Sequence, residues 1–225
     1  MPRYRVSSAR LFYALLVGLV LAALQDPAGW SGVAFRFYMI GVLMEALVSV
    51  SSGVRHLRIA ATLALVCLVS NVYVTATADA RPLPLALFCL ILFAFQVAGV
   101  HIHKVMWSRR VTGETIYSAM TAYLVVALGF TASYLLVALQ FPHAFVGQLH
   151  AHRFFPNASP GDMIYFSIAT LTTAGYGDIA PVDPIGRMVA SVEMLFGTLY
   201  PTVILARLVG LHGATLTAET DLPDI

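Results

Sequence analysis

The chain has very few charged side chains. Only 11% of its 225 residues are Asp, Glu, Lys or Arg, whereas a soluble domain carries about 25%. Apolar residues make up 59% of the chain, and the mean hydropathy is +0.82. These values exclude a soluble protein whose whole surface faces water, and they indicate an integral membrane protein. The net charge of +2 is too small to suggest nucleic acid as a partner.

Cysteine and clustered catalytic residues are also scarce. Cys67 and Cys89 are the two cysteines, and each lies inside an apolar run without the spacing of metal ligands. We therefore expect neither a disulfide nor a metal pair. The apolar runs contain no nucleophile–base set and no cluster of His, Cys, Asp and Glu. We expect no enzymatic activity and no cofactor.

The long apolar run Leu83–Met106, the fourth in the chain, contains no arginine. Its sequence is LPLALFCLILFAFQVAGVHIHKVM, and the first basic or histidine side chains are His101, His103 and Lys104 at its far end. A voltage sensor carries several regularly spaced arginines in such a helix. This absence excludes a voltage sensor built from arginines in this run.

Six apolar runs are long enough to cross a bilayer, which requires roughly 20 residues. A seventh run, Asp162–Thr172, is too short and predicts a re-entrant helix shielded from lipid by protein. The predicted fold is therefore an all-α membrane protein with six transmembrane helices, one re-entrant helix and the loop after it. The predicted spans are Ser8–Gln25, Val33–Gly53, Leu57–Ala78, Leu83–Met106, Ile116–Gln140 and Pro184–Leu211.

The distribution of Lys and Arg predicts the orientation. With both termini in the cytoplasm, nine of these 13 residues fall on the inner side. We therefore expect a multi-pass protein of the plasma (inner) membrane. An alternative is that the first 25 residues are a cleaved signal peptide, since they combine a basic start, an apolar middle and small residues. The nine residues are Arg3, Arg5, Arg10, Arg55, Arg58, Lys104, Arg109, Arg110 and Arg207.

The segment Thr170–Asp178, TLTTAGYGD, follows the re-entrant run. Ser159 is expected to cap that short helix, with Asp162 in its first turn. Carbonyls that all point toward one axis require alternate residues with backbone angles that L-residues avoid, and glycine adopts these at little steric cost. Gly175 and Gly177 have the required spacing, and Thr173 adds a hydroxyl oxygen.

This segment resembles the selectivity filter of potassium channels, Thr-Val/Ile-Gly-Tyr-Gly followed by Asp. Ala174 replaces the usual Val or Ile, and the resemblance extends over about 100 residues, from Val111 to Leu211. It implies a homotetrameric, potassium-selective channel in which backbone oxygens replace the water shell of a passively conducted K⁺ ion. The residues that correspond to the filter are Thr173, Ala174, Gly175, Tyr176 and Gly177, and the resemblance places K⁺ at the first four of them.

The resemblance also implies a domain organisation. Residues 1–110 correspond to a four-span, voltage-sensor-like domain without gating charges. Residues 111–213 correspond to the pore domain, with its outer helix, pore helix, filter and inner helix. Residues 214–225 form a short cytoplasmic tail. The predicted partners are K⁺, the lipid bilayer and further copies of the chain.

Several further residues are candidates for supporting or moving the filter. In related channels an aromatic donor from the pore helix binds the aspartate after the filter, which implies a Tyr165–Asp178 hydrogen bond; Thr172 is a further supporting residue. Glu193 is expected either to bond the pore-helix backbone or a neighbouring subunit and so hold the filter, or to face the pore and attract cations. The resemblance makes Gly197 a hinge, although a glycine there could instead allow close packing. Pro201 is expected to kink the same helix.

Two other channel-type functions remain open. One is a less selective monovalent cation channel, although relatives that admit sodium usually lack the tyrosine or the second glycine. The other is a subunit of a potassium-uptake transporter, although those generally carry four degenerate filters in one chain, whereas this chain has one complete filter.

Overall fold

The computed structural model describes residues 8–23, 41–48, 54–77, 81–147 and 159–220. Helices dominate this part of the chain, and two short strands accompany them. The helices are α1 (Ser8–Ala23), α2 (residues 41–48), α3 (Val54–Thr77), α4 (Leu83–Met106), α5 (Gly113–Gln140), α6 (Pro160–Leu171) and α7 (Pro184–Thr220), and the strands are β1 (Phe145–Gly147) and β2 (Ile179–Pro181).

Four of the described helices are long and apolar enough to cross a membrane. Their apolar windows are Leu57–Val74, Leu83–Met106, Gly113–Gln140 and Pro184–Leu211. The predicted class, a helical membrane protein, is therefore confirmed. The described part of α1 is apolar but shorter, and most of the predicted second span lies outside the described residues. Six spans therefore remain a prediction.

Helix α5 is the most deeply buried of these four helices. Thr112 caps its start by accepting a hydrogen bond from the backbone N–H of Thr115, and Glu114 lies in its first turn. Residues 107–112 connect α4 to α5, and the two helices pack side by side. Gly129 allows close contact, because a Cβ there would lie 3.3 Å from Ala94 Cβ.

Helix α1 packs against α5 near the start of both helices. The hydroxyl of Ser8 donates to Glu114 Oε1 at 2.6 Å, and the Ser8 backbone N–H donates to the same oxygen at 3.1 Å. The Thr121 hydroxyl donates to the Ser8 carbonyl at 3.2 Å. Arg10 connects α1 to α2 through an ion pair with Glu45, at 2.8 Å. The contacts with Glu114 and Thr121 hold the first helix against the second half of the chain.

One apolar cluster contains buried side chains from both halves of the chain. The predicted domain boundary at residue 110 falls in the connection between α4 and α5, and helices on both sides contribute to this cluster. Its members include Leu11 and Leu15 of α1, Ala60 of α3, Phe93 and Val97 of α4, Val126 and Tyr134 of α5, and Phe166 and Leu171 of α6.

Helix α6 has 12 residues and is therefore about 18 Å long, too short to cross the hydrocarbon core. The predicted cap is confirmed, because the Ser159 hydroxyl accepts a hydrogen bond from the Asp162 backbone N–H at 3.1 Å. Strand β1 pairs with β2 in antiparallel register, with Phe145 opposite Pro181. This pairing was not predicted, and it joins the segment after α5 to the segment after the loop.

Helix α7 extends beyond the predicted span. It has 37 residues and continues to Thr220, so the predicted tail, residues 214–225, begins as a continuation of this helix. Pro201 lies inside it. Proline has no N–H group to donate to the carbonyl four residues earlier, which is that of Gly197.

Candidate functional site

In the loop between α6 and β2, every second residue from Thr173 to Gly177 has a positive φ angle. Thr173, Gly175 and Gly177 have φ angles of 59°, 52° and 75°. The positive φ at both glycines agrees with the prediction from their spacing. The positive φ at Thr173 was not predicted, because β-branched residues rarely adopt this conformation.

Hydrogen bonds to the end of α6 hold the beginning of this loop. The backbone N–H of Thr173 donates to Thr170 O at 3.0 Å, and that of Gly175 donates to Ala169 O at 3.1 Å. The last carbonyls of a helix have no partner within the helix, and here the loop supplies their donors. The left-handed conformation of Thr173 is therefore held by the hydrogen bond of its own N–H and by that of the Gly175 N–H.

The loop is exposed in the single chain. Residues 172–177 are all exposed, and 73% of the Tyr176 surface is accessible. A Cβ built on Gly175 or Gly177 would meet no atom within 4 Å. The requirement for glycine at these two positions therefore comes from backbone conformation and not from lack of space within one chain.

Tyr165 of α6 connects the helix to the far end of the loop. Its ring stacks on that of Tyr176, with centroids 6.2 Å apart and planes 9° apart. Asp178 accepts a hydrogen bond from the Ile179 backbone N–H at 3.1 Å. The hydrogen bond implied between Tyr165 and Asp178 remains a prediction.

Comparison with known proteins shows which family the region around this loop resembles. A family model described as an ion channel matches residues 120–211, which extend from α5 through the loop into α7. Protein LctB of Geobacillus stearothermophilus is 30% identical over 113 residues, which cover 47% of this chain and 78% of that protein. This chain belongs to the ion channel family.

Two proteins that are named as potassium channels are also similar to parts of the chain. Two-pore potassium channel 5 of Arabidopsis thaliana is 44% identical over 48 residues, 21% of this chain and 12% of that protein. The voltage-gated potassium channel of Aeropyrum pernix is 30% identical over 60 residues, 27% of this chain and 20% of that protein. No solved structure matches this chain.

Glu193 of the channel lies at the contact between three helices and has no exposed surface. Its carboxyl group accepts a hydrogen bond from the Tyr134 hydroxyl of α5 at 2.5 Å. The other carboxyl oxygen lies 2.5 Å from the Ser167 hydroxyl of α6. Of the two predicted roles, the bonded one agrees with this geometry, although the partners are side-chain hydroxyls and not the pore-helix backbone. Tyr134 and Ser167 were not recognised from the sequence, because Tyr and Ser are common in apolar helices.

Gly197 lies where α7 crosses the end of α6. A Cβ at this position would be 1.9 Å from the Leu171 carbonyl oxygen. The Tyr123 hydroxyl of α5 donates to the same oxygen at 3.0 Å. Close packing therefore explains the glycine in this conformation, and the predicted hinge motion at Gly197 and Pro201 remains a prediction.

The second half of α7 is bound to α4 and α5. The Tyr200 hydroxyl donates to Ala119 O at 2.8 Å. The Arg207 guanidinium donates to Met106 O and Ser108 O, both at 3.2 Å. The signal for this contact that is visible in the sequence is a single arginine in an otherwise apolar stretch of α7. Its partners are backbone carbonyls, which no residue pattern identifies.

Proposed function

We propose that four copies of this chain form a channel that conducts K⁺ selectively and passively through the loop Thr173–Gly177, hereafter the filter. The observation that carries the proposal is the positive φ at three alternate residues, Thr173, Gly175 and Gly177. Alternation between left-handed and right-handed backbone turns successive carbonyls toward one side. A column of such oxygens can replace the hydration shell of K⁺.

We infer the number of copies from the coordination of the ion, which one chain cannot complete. A dehydrated ion needs oxygens all around it, and one chain supplies one filter with one exposed face. Four filters around an axis would complete the coordination. They would also cover Tyr176, which is 73% exposed in the single chain. The ion is the permeant substrate, and we propose no enzymatic role.

We propose that this channel lies in the plasma membrane with both termini in the cytoplasm and is not strongly voltage-gated. Moving one charge through 100 mV contributes about 2.3 kcal/mol, and steep gating requires several such charges in each subunit. Helix α4 contains no arginine. Its basic side chains lie in its last turn.

Ion flux from proteoliposomes tests the proposed function. The purified channel should pass K⁺ and Rb⁺ and little Na⁺, and external Ba²⁺ should block it. Native mass spectrometry of the same sample should show a tetramer. Equal K⁺ and Na⁺ fluxes would support the less selective cation channel, and conduction by a monomer or dimer would contradict the assembly.

Tyr165→Phe should leave the channel assembled but destabilise its conducting filter. The substitution removes the hydroxyl that we propose donates to Asp178, and it keeps the ring that stacks on Tyr176. We expect current to decay faster at low external K⁺ and to be partly restored at high K⁺, because bound ions favour the ordered filter by mass action. Tyr73→Phe, at an exposed tyrosine of α3, is the matched control. Equal decay in wild type and Tyr165→Phe would show that the hydrogen bond does not support conduction.

A further inference from the structure

The carboxyl group of Glu193, in α7, connects this helix to α5 and α6. These three helices are called the pore half below. The carboxyl group accepts the Tyr134 hydroxyl of α5 and contacts the Ser167 hydroxyl of α6, each at 2.5 Å. Ser167 also lies 2.8 Å from Ala127 O of α5. Glu193 and Ser167 are both fully buried. A polar group removed from water is stable only where it is hydrogen-bonded, so this cluster fixes the relative positions of its helices.

A second contact lies one helical turn farther along both helices. Glu193 meets Ser167, and four residues later Gly197 meets Leu171 on the same two helices. The Leu171 carbonyl also accepts the Tyr123 hydroxyl of α5. Residues four apart lie on one face of a helix. Helices α6 and α7 are therefore held in register at two points, one polar and one steric.

Helix α6 in turn holds the filter. The Thr173 N–H donates to Thr170 O and the Gly175 N–H donates to Ala169 O, one turn or less beyond Ser167. A displacement of α6 relative to α7 would therefore move the first half of the filter with it. The hydrogen bonds described for Glu193 lead to Tyr134 and Ser167, so its effect on the filter is transmitted through Ser167.

We propose that Glu193 is a positioning residue for ion conduction, which holds the pore helix in the register that keeps the filter conducting. This inference rests on the proposed function. The role depends on hydrogen bonding and not on an electrostatic attraction between Glu193 and cations in the pore, because the side chain has no exposed surface in the chain.

A glutamine at this position separates the two roles. Its carbonyl oxygen can accept the Tyr134 hydroxyl, and its amide N–H can donate to the Ser167 oxygen. The serine hydroxyl would then donate to Ala127 O, which already lies 2.8 Å away. Glu193→Gln therefore keeps the cluster and removes the charge, whereas Glu193→Val removes both.

The test compares Glu193→Gln, Glu193→Val, Tyr134→Phe and Ser167→Ala in proteoliposomes. We expect Glu193→Val to lose current about tenfold faster than wild type at low K⁺, as removal of a buried hydrogen-bonding group implies, and Glu193→Gln to remain within about twofold. Ser191→Ala is the control, because this exposed α7 serine donates to Arg187 O of its own helix. If Glu193→Val does not fold, the two partner variants carry the test, and each should accelerate the loss of current.

Amide hydrogen exchange at residues 173–177 gives a readout that does not depend on which ion passes. Exchange in this segment should accelerate about tenfold in Glu193→Val and remain near wild type in Glu193→Gln. A wild-type channel that does not select K⁺ would contradict the proposed function, while the exchange comparison would still decide whether Glu193 positions the filter. Equal loss of current in the Gln and Val variants would overturn the inference in favour of a charge effect. Unchanged exchange and current in Glu193→Val would overturn it as well.

Discussion

Gly177→Ala is expected to abolish K⁺-selective flux. Gly177 has a φ angle of 75°, and an L-residue in the left-handed region costs roughly 1–2 kcal/mol because its Cβ approaches the following carbonyl oxygen. In a ring of four filters the cost is about 4–8 kcal/mol. Relief of this strain would turn the backbone and its carbonyl away from the axis, so the coordination shell would be lost in all four subunits together.

Gly99→Ala is the matched control for this substitution. Gly99 lies in α4, where an added Cβ would meet nothing within 4 Å, and helical backbone accepts alanine more readily than glycine. We expect wild-type selectivity from Gly99→Ala and loss of the K⁺ to Na⁺ flux ratio from Gly177→Ala. Retention of that ratio in Gly177→Ala would contradict a filter that depends on this backbone conformation.

Gly197→Ala is expected to destabilise the pore half of the channel and disturb the filter. Its Cβ would lie 1.9 Å from Leu171 O and 2.8 Å from Leu171 C. Both are backbone atoms and cannot rotate away. Insertion of a methyl group into a packed site costs typically about 1–3 kcal/mol. We expect a lower midpoint of thermal unfolding and faster loss of current, because α7 must separate from the end of α6.

Gly210→Ala in the same helix is the control, since an added Cβ there would meet nothing within 4 Å. Thermal unfolding and flux should both match wild type. The comparison also separates packing from the hinge role. If Gly197 serves only as a hinge, Gly197→Ala should leave the unfolding midpoint unchanged and alter only the opening of the channel, and that result would contradict the packing explanation.

Local chemistry allowed much of this protein to be predicted from its sequence. The lengths of the apolar runs predicted α3, α4, α5 and α7, because a helix that crosses lipid must be apolar over a fixed length. The low charge content excluded a soluble fold. Ser159 predicted the start of α6, and Gly175 and Gly177 predicted the left-handed positions of the filter. Each of these inferences depends on composition, on the length of one continuous segment or on neighbours within a few positions, so no knowledge of the folded chain was needed.

Tertiary structure alone decided how the filter is held. The partners of Glu193 are 59 and 26 residues away in the chain, and nothing in the sequence distinguishes Tyr134 or Ser167 from other polar residues in apolar helices. The pairing of β1 with β2 and the close approach of Gly197 to Leu171 depend likewise on segments that meet only after the helices pack. Thr173 adopts a conformation that its side chain disfavours, because hydrogen bonds from the loop to α6 over-determine its backbone. Sequence therefore determined which segments are apolar and long enough to cross a membrane and where the loop Thr173–Gly177 lies, and packing decided which side chains hold that loop in place.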